Sequence, residues 1–415
     1  MQDSSLEFKH LFAGSPLRQP LYAMLFGALL VALLGIGTYN LLWPLYGGAS
    51  NIIETFSAAA LIAIIASIPA ILLVWYLDRR EHESPLLLAG AAVWGAGVSS
   101  GLSLLFGTAL YEYLLRFAKH SGGTVFGFSA ETVSTVVATP IVEEIVKGLA
   151  ILLLFWVLRA DFDDLRDGLL YGAMVGLGYN AAQYTIFLLE GYVSTGTPPY
   201  LSMAALQFVF LGVNGHFIYS ALLGAGFGLA RQTHNPRLRT LAPLGGILLA
   251  ILANVLANSV GTKVINDTVR AFTGARLLFA STPPLIAWVA TALGTLVSNF
   301  WAYILLGIAV FKSERWEIET IRKSLFDEVN VSVTPEEYAL IEQDAPFKVR
   351  SVPGYPPKIA RAIFRAQNEL AYRKWHVEED GGKVQDDDLV KAWRARIASM
   401  RASGKVVPAA NERNA

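Results

Sequence analysis

Cysteine is absent from this sequence of 415 residues, and charged residues are scarce in most of it. Without a thiol the chain can form no disulfide, no cysteine nucleophile, no iron–sulfur cluster and no thiolate zinc site. The formal net charge is zero, so no excess of positive charge suggests nucleic-acid binding. Only 16% of the residues are charged, whereas 54% are hydrophobic. This balance is unusual for a soluble protein and indicates a protein with several membrane spans.

The few charged residues are unevenly distributed. Residues 312–415 contain 35 of them, more than half of the total. A membrane-spanning helix needs about 20 apolar residues, and eight stretches of the remaining chain approach or exceed this length. They lie at residues 21–43, 56–77, 85–111, 133–158, 168–189, 203–230, 241–261 and 283–311. We therefore predict an all-α fold, in which residues 1–311 form a polytopic bundle of about eight transmembrane helices.

Residues 312–415 are predicted to form a small helical cytoplasmic region. The sequence from Thr334 to Glu337 is typical of a helix start, with a capping residue, a proline in the first turn and two acids. Apolar periodicity predicts further helices over residues 358–376 and from about residue 388 to Arg401. No catalytic motif is visible in this region, so we expect it to have a structural or regulatory role.

Lys and Arg residues predict the orientation of the bundle, because they accumulate on the cytoplasmic side. An even number of spans places both termini on the same side of the membrane. If that side is the cytoplasm, the inner segments before the tail carry nine Lys and Arg residues and the outer loops carry five. We therefore expect both termini to be cytoplasmic.

Apart from tyrosines, only four ionisable side chains lie inside the predicted spans. Glu143, Glu144 and Lys147 are in the fourth span, and His216 is in the sixth. A charge in the hydrocarbon core costs about 3 kcal/mol or more, so we expect these groups to form one interior site. Lys147 is spaced to pair with either glutamate, leaving the other to face a cavity. A purely structural ion pair would need only one glutamate, which favours a functional site.

Amides on two further spans are candidates for the same site. Gln183 lies in the fifth span, and Asn254 and Asn258 lie one turn apart in the seventh. Asn258 is a candidate donor for an oxyanion. Two other amides are expected only to bridge helices, namely Asn180 and Asn214.

Several known intramembrane chemistries lack their residues in this sequence. No H-E-x-x-H string is present for a zinc metalloprotease helix, and no pair of intramembrane aspartates is present for an aspartyl protease. The glycine-rich stretch at residues 97–101 does not match the serine motif of a rhomboid-type site. The remaining chemistry is a glutamate that activates water, together with a histidine and amide donors.

Four segments, in order along the chain, carry a resemblance to a known family. The string PIVEEIVK at residues 140–147 resembles the P-x-x-E-E-x-x-K signature of the PrsW family of intramembrane proteases, relatives of the CAAX-processing and bacteriocin-processing membrane proteases. The string DGLLYGAMVGLGY at residues 167–179 is similar to the family's D-G-x-x-Y-G-A-x-x-G-x-G-F stretch, and GHFIYSALLG at residues 215–224 is similar to its membrane histidine segment. With a fourth segment near residue 254, the resemblance covers roughly residues 130–260.

Two positions depart from the family pattern. The family's F-x-x-x-E-N motif corresponds here to Tyr179, Gln183 and Tyr184, so a carboxylate is lost. Its H-x-x-x-N motif corresponds to Asn254 and Asn258, so a histidine is lost. Both changes remove potential metal ligands or proton carriers, and an inactive family member is therefore an open alternative.

The resemblance implies a protease that cuts a membrane-anchored protein in or near the lipid bilayer. Glu143 or Glu144, with a preference for Glu144, would activate water, and the other would pair with Lys147. His216 would orient the water or protonate the leaving amine, and Asn258 would stabilise the oxyanion. Gln183 and Asn254 would support these groups.

The same resemblance implies a partner, a location and a cofactor state. Anti-sigma factors are one substrate type of the family, which implies a multi-pass protein of the bacterial inner membrane that acts on a single-span protein. No cofactor is expected, although a divalent metal such as zinc is compatible with the site. A membrane receptor or scaffold and a transporter are the other functions that buried charges of this kind allow.

The predicted topology can be tested with reporter fusions. A reporter fused after Phe311 should show cytoplasmic activity, because the Lys and Arg distribution places residues 312–415 inside the cell. Periplasmic activity of that fusion would contradict the arrangement of eight spans. A fusion to the outer loop at Lys119 serves as the control with the opposite expected result.

Overall fold

The computed structural model describes residues 15–43, 51–81, 83–158, 162–274, 282–348, 350–379 and 381–403. Within these ranges every regular element is helical, and the all-α polytopic bundle predicted from the sequence is confirmed. The membrane region contains α1 (Pro20–Leu42), α2 (Ile52–Leu77), α3 (Pro85–Val93), α4 (Ser100–His120), α5 (Ala130–Val133), α6 (Thr139–Val157), α7 (Leu165–Thr195), α8 (Tyr200–Gln207), α9 (His216–Gln232), α10 (Pro236–Leu256) and α11 (Thr262–Thr273). It is followed by α12 (Pro284–Leu325), α13 (Pro335–Glu342), α14 (Pro357–Glu379) and α15 (Asp388–Ser403).

Three of the membrane helices contain a wider, π-helical turn. These turns join α3 to α4 at Trp94–Ser99, α5 to α6 at Ser134–Ala138, and α10 to α11 at Ala257–Gly261. A π-helical turn inserts extra residues into a helix and rotates the side chains that follow it, and such turns are frequent at functional sites. The turn at Ser134–Ala138 ends five residues before Glu143, the first of the two glutamates in the predicted fourth span.

Six helical segments in the described residues are long and apolar enough to cross a membrane. They correspond to six of the eight predicted spans. The predicted fourth and fifth spans are also helical, as α5–α6 and α7. The fourth span carries Glu143, Glu144 and Lys147, and these charges lower its apolar character. The number of eight spans therefore remains a prediction.

The predicted sixth span, residues 203–230, is interrupted instead of being one continuous helix. Between α8 and α9 the chain forms a short 3₁₀ turn at Val209–Gly212, where Phe210 and Leu211 have φ angles of 50° and 59°. Gly215, with a φ of 53°, ends this break. His216 is consequently the first residue of α9 and does not lie in the middle of a helix.

The helices α7 and α9 pack with their backbones in close contact. A Cβ atom on Gly172 would lie 2.1 Å from the carbonyl oxygen of Ser220, and one on Gly168 would lie 2.2 Å from that of Gly224. Only glycine leaves room for this approach, as expected for small residues repeated every fourth position in a membrane helix. Gly176 makes the same kind of contact with the carbonyl of His216, at 2.0 Å. The glycine spacing therefore fixes the distance between α7 and the start of α9.

The chain divides into two compact units. One comprises the described residues of Gly14–Tyr76 and Ser84–Ala309. The other joins the short segment Leu77–Glu83 to the described part of Val310–Ala415. Its helices include the predicted ones over 358–376 and from 388 onward, and Thr334 forms a capping box with Glu337 at the start of α13.

Within this second unit, the side chain of Arg80 is fully buried. It donates hydrogen bonds to the carboxylates of Glu314 at 3.1 Å and Asp344 at 3.2 Å. It also donates to the backbone carbonyls of Ala345 and Lys348. These contacts fix the segment Leu77–Glu83 against the C-terminal helices, so both belong to one folded body.

The close packing of α7 and α9 predicts opposite effects for two Gly→Ala changes. Gly172→Ala should destabilise the protein by about 1–3 kcal/mol, because the new methyl group pushes the helices apart. Gly245→Ala, on α10, should be neutral or stabilising by up to about 1 kcal/mol, because nothing lies within 4 Å of the added Cβ and alanine favours a helix. Thermal unfolding of both variants in detergent would measure the difference. Equal stability of the two variants would contradict the close contact.

Candidate active site

Four helices bring the predicted polar residues together inside the bundle. Helix α6 supplies Glu143, Glu144 and Lys147, α7 supplies Gln183, α9 supplies His216 and α10 supplies Asn254. All are buried except Gln183, which is partly buried. The single interior cluster expected from the sequence is present in the described structure.

Glu144 is the glutamate that pairs with Lys147. The ammonium group of Lys147 donates to Oε1 of Glu144 at 2.6 Å, and both side chains are fully buried. The same ammonium lies 2.7 Å from Nδ1 of His216. An ammonium can only donate, so Nδ1 accepts this hydrogen bond. The proton of a neutral imidazole is then on Nε2, which faces Oε1 of Gln183 at 3.1 Å.

Glu143 has a different environment. Its Oε1 accepts a hydrogen bond from the hydroxyl of Tyr179 at 3.0 Å, and its Oε2 accepts one from the amide of Asn254 at 2.8 Å. No Lys or Arg of the described chain forms an ion pair with it, and Nε2 of His216 is 3.9 Å away. Glu143 therefore keeps its carboxylate available, whereas that of Glu144 is committed to Lys147. The contacts therefore favour Glu143 as the residue that activates water, whereas the expectation from the sequence favoured Glu144.

The two asparagines of α10 and its π-helical turn differ in their contacts with the glutamates. Asn254 donates to both glutamates, at 2.8 Å each, and so bridges the two carboxylates. Asn258, expected as the oxyanion donor, donates to Oδ1 of Asn254 at 3.0 Å. It contacts the glutamates only through Asn254. Asn254 is thus the amide that donates directly to the two glutamates.

The position of His216 is fixed by hydrogen bonds from α7 and by the non-helical segment that precedes α9. Oδ1 of Asn180 accepts the backbone N–H of His216 at 3.0 Å, and Nδ2 of Asn180 donates to the carbonyl of Asn214 at 2.9 Å. The side chain of Asn214 donates in turn to the carbonyls of Leu206 and Val209. As expected, Asn180 and Asn214 bridge elements of the bundle. They satisfy backbone groups that the break in the helix would otherwise leave unpaired in an apolar medium.

A cavity of about 540 Å³ leads to the cluster between α4, the α5–α6 segment and α7. Glu143, Tyr179 and Gln183 line it, whereas Glu144, Lys147 and His216 lie behind its wall. Of the two glutamates, Glu143 is therefore the one that a molecule in the cavity can reach. Tyr179 is a residue of this site that the sequence alone does not predict. A phenol at a position where the family pattern has phenylalanine is the signal that identifies it.

The cluster has the donor atoms to hold a divalent metal ion. One ligand atom from each of Glu143, Glu144 and His216 lies within 4.8 Å of the others. Two carboxylates and an imidazole suit a catalytic zinc ion, and Oε2 of Glu144 is buried without a hydrogen-bond partner. Lys147 is a competing cation, because its ammonium contacts both Glu144 and His216.

Comparison with known proteins gives one match. Residues 83–289 match the model of the family described as PrsW family intramembrane metalloprotease. The matched region begins just before α3 and ends in the first turns of α12, so it contains every residue of the cluster. No curated protein and no solved structure matches the chain.

The two glutamates should differ in their effect on stability. Glu144→Gln should destabilise the protein by about 3–5 kcal/mol, because it leaves the buried ammonium of Lys147 without its counter-ion. Glu143→Gln should have a smaller effect, since it leaves no buried charge unpaired and its amide oxygen can still accept one of the two hydrogen bonds, from Tyr179 or from Asn254. Thermal unfolding in detergent would measure both variants.

The double variant Glu144→Gln/Lys147→Met is the matched control. It removes both charges of the pair and should recover most of the lost stability. If Glu143→Gln were as destabilising as Glu144→Gln, the assignment of the ion pair to Glu144 would be wrong.

Proposed function

Since the chain belongs to the PrsW family of intramembrane proteases over residues 83–289, we propose that it hydrolyses a peptide bond of a membrane-anchored protein with water activated by Glu143. The single observation that carries this proposal is the asymmetry of the glutamate pair. Glu144 is neutralised by Lys147, and Glu143 faces the cavity without a cationic partner. A general base needs both a free carboxylate and access to the reacting water.

Hydrolysis requires two proton transfers, and Glu143 can carry both. Its carboxylate takes a proton from water as the oxygen attacks the carbonyl carbon of the scissile bond. The resulting carboxylic acid then gives that proton to the leaving amine as the C–N bond breaks. The hydrogen bonds from Tyr179 and Asn254 hold the carboxylate in position for both steps.

Gln183 is the best placed donor for the oxyanion. Its Oε1 accepts from Nε2 of His216, which turns the amide nitrogen away from the histidine. Because Gln183 lines the cavity, this nitrogen can donate to an oxygen that develops negative charge there. Lys147, His216 and Gln183 then form a chain of hydrogen bonds that orients the donor. A glutamate at position 183 could not donate in this way.

Glu143, Glu144 and His216 are the residues that would hold a divalent metal ion. When bound, such an ion would lower the pKa of a coordinated water and so supply a nucleophile at neutral pH. We propose a reaction without a resident metal, because Lys147 already provides the positive charge between Glu144 and His216. Chelation separates the two mechanisms.

We further propose that the protein acts in the bacterial inner membrane, with a single-span protein such as an anti-sigma factor as its substrate. Both termini would be cytoplasmic. The placement of Leu77–Glu83 in one compact unit with the C-terminal helices supports a common side for this loop and the tail. It agrees with the topology that the distribution of Lys and Arg predicts.

The test is cleavage of single-span proteins by the purified protein in liposomes. Glu143→Gln should lower kcat at least about 100-fold without loss of folded protein, because a general base contributes about 10²–10⁴-fold. Cleavage by the natural protein should persist in the presence of a chelator. Loss of activity with chelator and its return with zinc would contradict the metal-free mechanism.

An inactive relative that acts by binding is the second candidate, favoured by the departures at Gln183 and Asn254. The double variant Gln183→Glu/Asn254→His distinguishes it. In the proposed mechanism this variant should be less active than the natural protein, since it loses two amide donors. If the natural protein cleaves no substrate and the variant does, the natural chain is an inactive relative.

A further inference from the structure

We propose that the cavity above Glu143 binds an extended segment of the substrate that carries a Lys or Arg side chain about three to five residues from the scissile bond. The inference rests on the proposed function, in which Glu143 acts at the inner end of this cavity. It adds a substrate class that neither the glutamate pair nor the family match specifies. The charges, the hydroxyl groups and the dimensions of the cavity each support it.

Apart from tyrosines, all the ionisable side chains that line the cavity are acidic. They are Glu131, Glu143 and Glu190, and no Lys, Arg or His is among the described residues of its wall. Glu131 and Glu190 are exposed at the mouth, and neither side chain has an ion-pair partner in the described structure. Two unpaired carboxylates beside a low-dielectric cavity attract a cation more strongly than they would in water. A basic side chain of the substrate would supply this cation.

The wall of the cavity also offers hydrogen-bond partners to an unfolded backbone. Ser103 is only 4% exposed, and its Oγ has no hydrogen-bond partner. Ser134 and Thr139 line the same cavity. A substrate helix must unwind before its peptide bond can be attacked, and unpaired N–H and C=O groups cost several kilocalories per mole in lipid. Hydroxyl groups in the wall can satisfy these groups of an extended segment.

The position of the basic residue follows from the distances along the helices. Glu190 follows Gln183 by seven residues, about 10 Å at 1.5 Å per residue. Glu131 precedes Glu143 by twelve residues, which is less than about 18 Å because the π-helical turn at Ser134–Ala138 between them rises less per residue than an α-helix. An extended chain advances about 3.3 Å per residue. The two acids therefore lie about three to five residues of extended substrate away from the reacting bond.

Binding can be measured without catalysis by using the full-length Glu143→Gln variant in nanodiscs. The probes are dye-labelled single-span peptides of leucine and alanine, with a central Ala-Ser bond and one Lys moved through successive positions on either side. Peptides with Lys three to five residues from the bond, on one side, should bind about 10-fold more tightly than the same peptides with Gln. This preference should disappear in a background that also carries Glu131→Gln and Glu190→Gln.

Glu112→Gln is the matched control, since it removes one exposed acid of α4 that does not line this cavity. It should leave the preference for Lys unchanged. Binding that is indifferent to the Lys position, or a preference that survives loss of both Glu131 and Glu190, would overturn the inference.

Failure of this inference and failure of the proposed function give different results. If the natural protein cleaves its substrates equally well with Lys or Gln at every position, the acidic mouth has no role and the protease function stands. If the Glu143→Gln variant binds with the expected preference while the natural protein cleaves nothing, the binding cavity stands and catalysis by Glu143 is wrong.

Discussion

The fully buried ion pair between Glu144 and Lys147 is the interaction on which the rest of the site depends. Neither charge would be tolerated alone in an apolar interior, because stranding one member of such a pair costs about 3–5 kcal/mol. The pair fixes the ammonium group beside His216, at 2.7 Å from Nδ1, and thereby sets the tautomer of the imidazole. The imidazole then orients Gln183. One ion pair on α6 thus orients His216 and Gln183, while its own charges cancel.

The interrupted helix before His216 is the second constraint, and it is connected to the first through α7. A histidine inside a continuous helix would have its backbone N–H bonded within that helix. At the first position of α9 the N–H is available, and Asn180 accepts it. The glycine contacts between α7 and α9 keep the two helices close enough for this hydrogen bond. Backbone packing and side-chain capping therefore position the same residue, so that His216 lies within reach of Lys147 on a third helix.

The sequence predicts the composition of the site better than its internal arrangement. The scarcity of ionisable groups in the spans points to Glu143, Glu144, Lys147 and His216. A charged side chain in lipid costs free energy, so such residues are usually kept for a function. Helical periodicity alone could not decide which glutamate pairs with Lys147, since spacings of three and four residues both permit it. The break before His216 is a second feature that the sequence does not predict. Gly212, Asn214 and Gly215 are signals of irregular backbone, but the apolar residues around them gave the stretch the hydropathy of a continuous span.

The role of Asn258 as an oxyanion donor stays a prediction. Its side chain does lie on the same face as Asn254, since its amide donates to Oδ1 of Asn254 at 3.0 Å. The spacing of four residues could not show which of the two asparagines donates to the glutamates. The departures at positions 179 and 183 have a common electrostatic meaning. Glu143, Glu144 and Lys147 together carry one excess negative charge when His216 is neutral. A carboxylate at position 183 would add a second, 3.1 Å from the imidazole and on the wall that Glu143 shares. Gln183 avoids that repulsion, and the hydroxyl of Tyr179 supplies a hydrogen bond to Glu143 that phenylalanine could not. The two substitutions therefore fit a site that stabilises one cavity-facing carboxylate with neutral donors, as the proposed glutamate base would need.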